Sequence, residues 1–150
     1  MSKMEAKSHT AIHIVKGAAV KILGVKWSAS AYSNDSHGGL AVQIDRKPTD
    51  EEIKLIEDEA NKVIKNDQKI EIHVISKKDA EARWGDNIYD LFPIPPELTM
   101  LTIFHLPGWN VNTCGKHHTE TTGEIGKIKI VIWRFRAQKQ LLELSFDVEE

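Results

Sequence analysis

The sequence predicts an α+β fold, with one antiparallel-rich sheet and helices packed on one of its faces. Three observations support this class. Helical and strand-like apolar patterns follow one another irregularly, turn signals join most predicted strands as hairpins, and no repeat or linker interrupts the chain. The 150 residues are 41% hydrophobic and 28% charged. This composition fits one globular domain over residues 1–150.

The first predicted element is a helix over residues 9–23, with Ser8 as its N-cap and Gly24 as its stop. The apolar residues recur at helical spacing and are Ile12, Val15, Ala19, Ile22 and Leu23. His9 and His13 are four residues apart, so both imidazoles lie on one face of this helix, next to the apolar stripe.

A hairpin is predicted next. Alternation over residues 27–32 indicates a strand that puts Ser28, Ser30 and Tyr32 on the face opposite Trp27. The turn-rich segment 33–39 separates it from a second strand, whose aliphatic residues are Leu40, Val42 and Ile44. Gln43 and Asp45 fall on the face opposite those aliphatics.

The middle of the chain predicts a second helix, capped within residues 47–50 and ended at 66–68. Its core stripe comprises Ile53, Ile56, Ala60 and Val63. A strand over 70–74 and a short helix over 77–84, ended by Gly85, come next. Three prolines make residues 88–96 an ordered loop.

The last part of the chain is mainly strand. A buried strand over 98–106 is predicted to lead through a loop at 107–112 into the segment that begins with Cys114. An alternating strand over 127–136 offers two apolar faces, and a turn connects it to a final strand over 141–148. The two faces carry Ile128, Ile130 and Ile132, or Val131, Trp133 and Phe135.

Composition restricts the location and the partners. No run is long and apolar enough to span a bilayer, and residues 1–7 lack the apolar core of a signal peptide, so a cytoplasmic protein without membrane contact is expected. A single cysteine agrees with a reducing compartment. The net charge of −2 disfavours a protein that coats nucleic acid, and no DNA partner is expected. A short contact with the end of an RNA is still compatible with this net charge.

Four side chains form a predicted metal site: His9, His13, Cys114 and His118. Zinc favours nitrogen and sulfur donors in tetrahedral array, and each pair could supply two of them. His117 is an alternative to His118 as the fourth ligand. His37, His73 and His105 have no companion at ligand spacing and are interpreted as structural. The sequence contains no His-Glu-x-x-His, Gly-x-Ser-x-Gly or phosphate-cradling glycine motif.

These motifs resemble the editing domain of alanyl-tRNA synthetases and the free-standing AlaX proteins, in particular the short form AlaX-S. The threonyl-tRNA synthetase editing domain has a comparable arrangement. The resemblance covers nearly the whole chain. It rests on Ser-His-Thr-Ala-Ile-His at the start, Trp27 followed by a hydroxyl residue, Ile44-Asp45, the acidic helix around Ile56-Glu57, Tyr89-Asp90-Leu91-Phe92-Pro93, and Cys114-x-x-x-His118 followed by Thr-Glu-Thr-Thr-Gly-Glu-Ile-Gly. The synthetases usually have Cys-Gly-Gly-Thr-His at the last motif, where this chain has Lys116 and His117 in the middle.

The resemblance implies a trans-acting hydrolase that removes serine, and in some cases glycine, from mischarged alanine tRNA by acting at its acceptor end. It also implies that His9, His13, Cys114 and His118 bind one Zn²⁺ ion. A four-ligand site is usually structural, so a zinc-stabilised interaction module without catalysis is the rival function. Selecting serine over alanine needs a polar partner for the serine hydroxyl. Ser28 is the first candidate for that role, and Gln43 and Asp45 are weaker candidates for lining the same cleft.

Overall fold

In the computed structural model, which describes residues 3–91 and 94–150, seven strands form two antiparallel sheets and three α-helices pack against them. The elements are α1 (Lys3–Leu23), β1 (Ser28–Asn34), β2 (His37–Gln43), α2 (Asp50–Lys65), β3 (Glu71–Ser76), α3 (Lys77–Trp84), β4 (Met100–Leu106), β5 (Asn110–Thr113), β6 (Lys127–Arg136) and β7 (Leu141–Glu149). Short 3-10 turns occupy Gly85–Ile88 and Thr122–Ile125. No helix in these described ranges is both long and apolar enough to cross a bilayer.

The α+β class is confirmed, but the strands divide between two sheets rather than one. One sheet has the order β1-β2-β7-β6, and the other has the order β3-β4-β5. In the first sheet β7 pairs with β2 on one side and with β6 on the other, so both of its edges are occupied. The strands β3, β4 and β5 therefore pair with one another, as a separate antiparallel unit.

Helix α1 already includes Lys3, so the predicted cap at Ser8 is wrong. Ser8 is buried inside the helix, and its hydroxyl donates to the backbone oxygen of Glu5 at 3.1 Å. The residues before it are good helix formers, which extend the helix beyond its apolar stripe. The predicted end is confirmed, because Gly24 adopts a φ of 70° and its N–H donates to the oxygen of Val20 at 2.9 Å.

Helices α1 and α2 cover one face of the four-stranded sheet. Every second residue of β7 is buried against them: Leu142, Leu144, Phe146 and Val148. The predicted start of α2 is confirmed in detail. Thr49 and Glu52 form a capping box, and Arg46 holds the Glu52 carboxylate with two hydrogen bonds of 2.8 and 2.7 Å.

The first hairpin turns more tightly than segment 33–39 suggested. Its turn is Asp35-Ser36, and Asp35 has a φ of 56°. Gly38 and Gly39 lie inside β2 because aromatic rings cover them. A Cβ atom at Gly38 would lie 2.5 Å from the Phe146 ring, and one at Gly39 would lie 2.1 Å from the Tyr32 ring. Turn-forming composition was therefore misleading here, because the glycines make room for side chains.

A β-bulge in each outer strand changes which residues face the helices. In β6 the register shifts between Ile130 and Ile132, so that Ile128 and Ile130 share the inner face with Trp133 and Phe135. Ile132 is 64% exposed as a result. Neither of the two predicted apolar faces of this strand is correct along its whole length, since the bulge exchanges them midway.

The three-stranded sheet contains one strand that was predicted as loop. The chain turns at Gly108, with a φ of 75°, and Asn110–Thr113 then pairs with β4 as β5. Strand β3 lies at the edge of this sheet, which leaves Ile72 and Val74 exposed although they were predicted as strand aliphatics. Helix α3 packs on the other face of the sheet, through Ala80 and Trp84. Phe92 and Pro93 of the predicted loop lie outside the described residues.

Candidate metal centre

Helix α1 supplies two imidazoles to the centre of the molecule. His9 and His13 project from the same face at adjacent turns, with ring centroids 5.9 Å apart. Both residues are buried, since they lie in the stretch 8–19, where every residue of α1 is buried. Sequence spacing predicted this shared face.

The segment after β5 supplies the second pair of donors. Cys114 is fixed at the end of β5, where its N–H donates to the backbone oxygen of Thr102 at 2.9 Å. Five residues later the segment returns to α1, where the N–H of Thr119 donates to Oγ1 of Thr10 at 2.9 Å. The two attachments place the side chain of His118 opposite those of His9 and His13, with ring centroids 5.1 and 5.0 Å away.

The four donors lie close enough together to share one metal ion. The ligand atoms of His9, His13, Cys114 and His118 all lie within 4.8 Å of one another. The Cys114 sulfur is 3.2 Å from Nε2 of His9 and 3.5 Å from Nε2 of His118. Tetrahedral zinc with imidazole and thiolate ligands separates nitrogen from sulfur by about 3.6 Å. His117 is exposed and does not belong to the cluster.

His13 is the most firmly held donor. Its Nδ1 lies 2.9 Å from Oδ1 of Asn110, and its ring stacks on Phe104 at a centroid distance of 3.9 Å and an angle of 9°. Nδ1 therefore carries the proton, and Nε2 is left free to bind a metal. Such outer hydrogen bonds fix the tautomer and orientation of a ligand histidine. By contrast, Nδ1 of His9 and of His118 is buried without a hydrogen-bond partner among the described residues.

Burial keeps the imidazoles neutral. It lowers the pKa of His9 and lowers the pKa of His13 well below the usual value. Burial, together with the neighbouring His9 and His117, lowers the pKa of His118 to about 3. Burial also raises the pKa of the Cys114 thiol. Neutral imidazole nitrogens can bind a divalent metal directly. A metal ion also deprotonates a thiol that it binds, so the raised pKa of Cys114 is compatible with a metal site.

A polar network lies next to the four donors. Lys16 is only 5% exposed, and its ammonium donates to Oδ1 of Asp90 at 3.1 Å and to Oδ1 of Asn112. The Ser28 hydroxyl donates to the same Asp90 oxygen at 2.5 Å. A cavity of about 100 Å³ connects this network to three of the four candidate donors, since its walls include His9, His13, Cys114, Lys16, Ser28, Asp90 and Asn112.

Ser28 reaches this cavity because of the bulge in β1. The register shifts between Ser28 and Ser30, so that Ser28 pairs with Val42 and shares the inner face with Ala31. Simple alternation had grouped Ser28 with Ser30 and Tyr32, and that grouping is wrong. Ser30 and Tyr32 are exposed on the outer face, whereas Ser28 is buried.

Several alanine–tRNA ligases resemble this chain over most of its length. The ligase of Methanopyrus kandleri is 34% identical over 145 residues, which is 96% of the chain. The ligases of Sulfurisphaera tokodaii and Thermofilum pendens are 35% and 34% identical over 126 residues, or 83% of the chain. The chain is homologous to a segment of alanine–tRNA ligases. It spans only 14–16% of the length of these relatives.

This homology confirms the relationship to alanyl-tRNA synthetases predicted from the motifs. No family model matches the chain. The relationship therefore rests on the pairwise likeness to the ligases, which extends from α1 to the Cys114 segment when 96% of the chain is aligned.

The structure does not bring Gln43 and Asp45 to the candidate centre of this ligase homologue. Both are exposed, and both line a different cavity, together with Trp27 and Gln140. Gln43 ends β2 on the outer face of the sheet, opposite Leu141 of β7. The expectation that these two residues line the same cleft as Ser28 is therefore wrong.

Sequence reasoning did not place Lys16, Asp90 and Asn112 beside the candidate donors. One signal was available: Lys16 interrupts the apolar stripe of α1 three residues after His13, and so lies on the ligand face of the helix. A lysine there needs a buried partner, because an unpaired charge is costly to bury. No local pattern identified the partners, since Asp90 and Asn112 come from a loop and a strand far along the chain.

Proposed function

We propose that this chain is a zinc-dependent aminoacyl-tRNA deacylase that removes serine from mischarged alanine tRNA, with glycyl-tRNA as a second substrate. The observation that carries the proposal is that three of the four candidate donors, His9, His13 and Cys114, line one small cavity together with Ser28. The choice of an alanine tRNA as the substrate rests on homology, because the relatives are named alanine–tRNA ligases. The substrate would be the ester at the acceptor end.

The metal would contribute one part of the chemistry. Zn²⁺ held by His9, His13, Cys114 and His118 would polarise an ester carbonyl or lower the pKa of water. An aminoacyl ester is already activated, so accurate positioning and charge stabilisation supply much of the remaining rate enhancement.

The polar network would recognise the amino acid. The Ser28 hydroxyl donates its proton to Asp90, so its oxygen lone pairs can accept a hydrogen bond from the hydroxyl of a bound serine. Lys16 and Asn112 hold Asp90 in place, and the Asp90 carboxylate attracts the ammonium of the aminoacyl group. A cavity of about 100 Å³ also limits the size of the amino acid that fits.

The exposed surface beside the cavity would bind the end of the tRNA. Lys116 and His117 are exposed and directly follow the ligand Cys114 and Gly115. A lysine in this position is suited to a phosphate of the terminal nucleotides. Such a contact is short, in keeping with a chain whose net charge is −2.

A non-catalytic zinc module is the second candidate. It is favoured by one observation: the four protein donors join α1 to the segment after β5, and four protein ligands are typical of structural zinc. In such a module the metal would stabilise the fold without turning over a substrate.

A deacylation assay on serine-charged alanine tRNA distinguishes the two functions. The zinc-loaded protein should release serine and should leave alanine-charged tRNA nearly intact, and a chelator should remove this activity while circular dichroism still shows a folded protein. Absence of turnover, with loss of the fold on chelation, would establish the structural module instead.

A further inference from the structure

A second group of metal-binding side chains lies outside the candidate centre. Among the described residues, Glu71, His73 and His105 form the other cluster of donors close enough to share an ion, with ligand atoms within 4.8 Å of one another. Sequence spacing gave His73 and His105 no companion, and that expectation is wrong. They meet because β3 and β4 are antiparallel neighbours in which Glu71 pairs directly with His105.

The three donors converge on one point. Oε1 of Glu71 lies 3.0 Å from Nε2 of His73 and 3.2 Å from Nδ1 of His105. Glu71 and His73 are two residues apart on one strand, so they share a face of the sheet with the cross-strand partner His105. Metal–ligand bonds of about 2.1 Å separate neighbouring ligand atoms by about 3.0 Å at right angles and by about 3.4 Å at the tetrahedral angle. The observed spacing falls within or close to this range.

An aromatic ring covers one side of this cluster, and the other side is open to solvent. The Trp84 ring of α3 lies 5.5 Å from the His73 ring and 5.4 Å from the His105 ring, centroid to centroid. The side chains of His73, His105 and Glu71 remain 26%, 20% and 44% exposed, so an ion can reach them from solvent. The Arg83 guanidinium lies over the Trp84 ring, 4.4 Å from its centroid.

The charge and the type of donor define the ion. The Glu71 carboxylate brings a negative charge to the cluster at neutral pH. Two imidazoles and a carboxylate suit borderline divalent transition metals, whereas calcium and magnesium require mainly oxygen ligands. Three protein donors also leave coordination positions for water or another ligand.

We propose that Glu71, His73 and His105 form a second metal site, which binds a divalent transition-metal ion such as Zn²⁺ or Co²⁺. The site is separate from the candidate centre, because adjacent residues of β4 point to opposite faces of the sheet. Phe104 packs on His13 and on His118 of the first cluster, while His105 faces Trp84. The proposal is independent of deacylase activity.

Cobalt titration of the tag-free, metal-free protein tests the site, because only the first cluster contains sulfur. The wild-type protein should bind two equivalents of Co²⁺ by calorimetry, and thiolate-to-cobalt absorption should saturate with one of them. His73→Gln and His105→Gln should each weaken the sulfur-free step at least about tenfold and leave the thiolate absorption unchanged. Cys114→Ala should remove the thiolate absorption and leave the other step.

His37→Gln is the matched control. His37 also pairs with a carboxylate, that of Asp147 at 2.8 Å, and it is not part of either donor cluster among the described residues. This variant should retain both binding steps. A single equivalent of Co²⁺ in the wild-type protein, or a second step unaffected by both His73→Gln and His105→Gln, would overturn the proposal and leave these residues as a hydrogen-bonded cluster without a metal.

Discussion

The Asn110 side chain fixes which nitrogen of His13 faces the other three donors. Oδ1 of Asn110 accepts from Nδ1 of His13 at 2.9 Å, while Phe104 stacks against the ring and prevents it from turning. Asn110 is the first residue of β5, the strand that ends just before Cys114. A single short strand therefore positions both one ligand and the residue that orients another.

Asn110→Ala should weaken zinc binding about 10- to 100-fold, because the variant leaves the tautomer and orientation of His13 unrestrained. Competition with a chromophoric chelator measures the affinity. Asn87→Ala, at an exposed asparagine in the turn after α3, is the control and should retain wild-type affinity. Equal affinity for the two variants would show that Asn110 has no part in metal binding.

Cys114→Ala should abolish deacylation and zinc binding at the four-donor centre, whereas an ion held by Glu71, His73 and His105 should remain bound. The remaining three imidazoles have no anionic partner, and an ion they held would lack the thiolate that binds zinc most strongly. Metal content by mass spectrometry of the native protein and serine release from charged tRNA are the two measurements. Full activity in a metal-free preparation of this variant would exclude a metal-dependent reaction.

Ser28→Ala should lower the preference for seryl-tRNA over glycyl- and alanyl-tRNA by about three- to tenfold, which corresponds to the loss of one neutral hydrogen bond. Ratios of kcat/KM for the three substrates measure it. Ser30→Ala is a close control, because the β1 bulge places Ser30 on the exposed outer face. If the Ser28 and Ser30 variants discriminate alike, the Ser28 hydroxyl does not contact the substrate.

Lys16→Ala should lower the free energy of unfolding by about 2–3 kcal/mol. This is below the roughly 3–5 kcal/mol for breaking a fully buried ion pair, because the Asp90 side chain is 44% exposed and can be hydrated once its partner is lost. Urea unfolding followed by tryptophan fluorescence gives the value. Lys21→Ala removes an exposed lysine of the same helix, which pairs with Glu59, and should cause a much smaller loss. Equal losses would mean that burial adds nothing to the Lys16 pair.

The clustering of His9, His13, Cys114 and His118 was predictable because each pair of donors is close in sequence. The spacing of His9 and His13 fixes their shared face on any helix, and that of Cys114 and His118 needs only one turn. The capping box of α2 was also predictable, since Thr49 and Glu52 are three residues apart. The start of α1 was not predictable, because the helix extends to residues that precede its apolar stripe.

The identity of the side chains that line the interior of the site depends on how the strands pair. Alternation alone put Ser28 with Ser30, and the bulge that separates them exists only because β1 pairs with β2 in a shifted register. The partners of Lys16 were also not predictable from local sequence, because Asp90 and Asn112 lie 74 and 96 residues away. Gln43 and Asp45 were expected on the strand face opposite Leu40, Val42 and Ile44, and in the structure they line a different cavity from the one that contains Ser28.

The sequence by itself determined the α+β class, the capped second helix, the four metal donors and the relationship to alanyl-tRNA synthetases, because these depend on residue type and short-range periodicity. The tertiary structure alone decided that the strands form two sheets, that Ser28 rather than Gln43 or Asp45 faces the donors, and that Glu71, His73 and His105 meet. Each of these results depends on the register between strands, and register is fixed by side-chain packing across the sheet rather than by spacing along the chain.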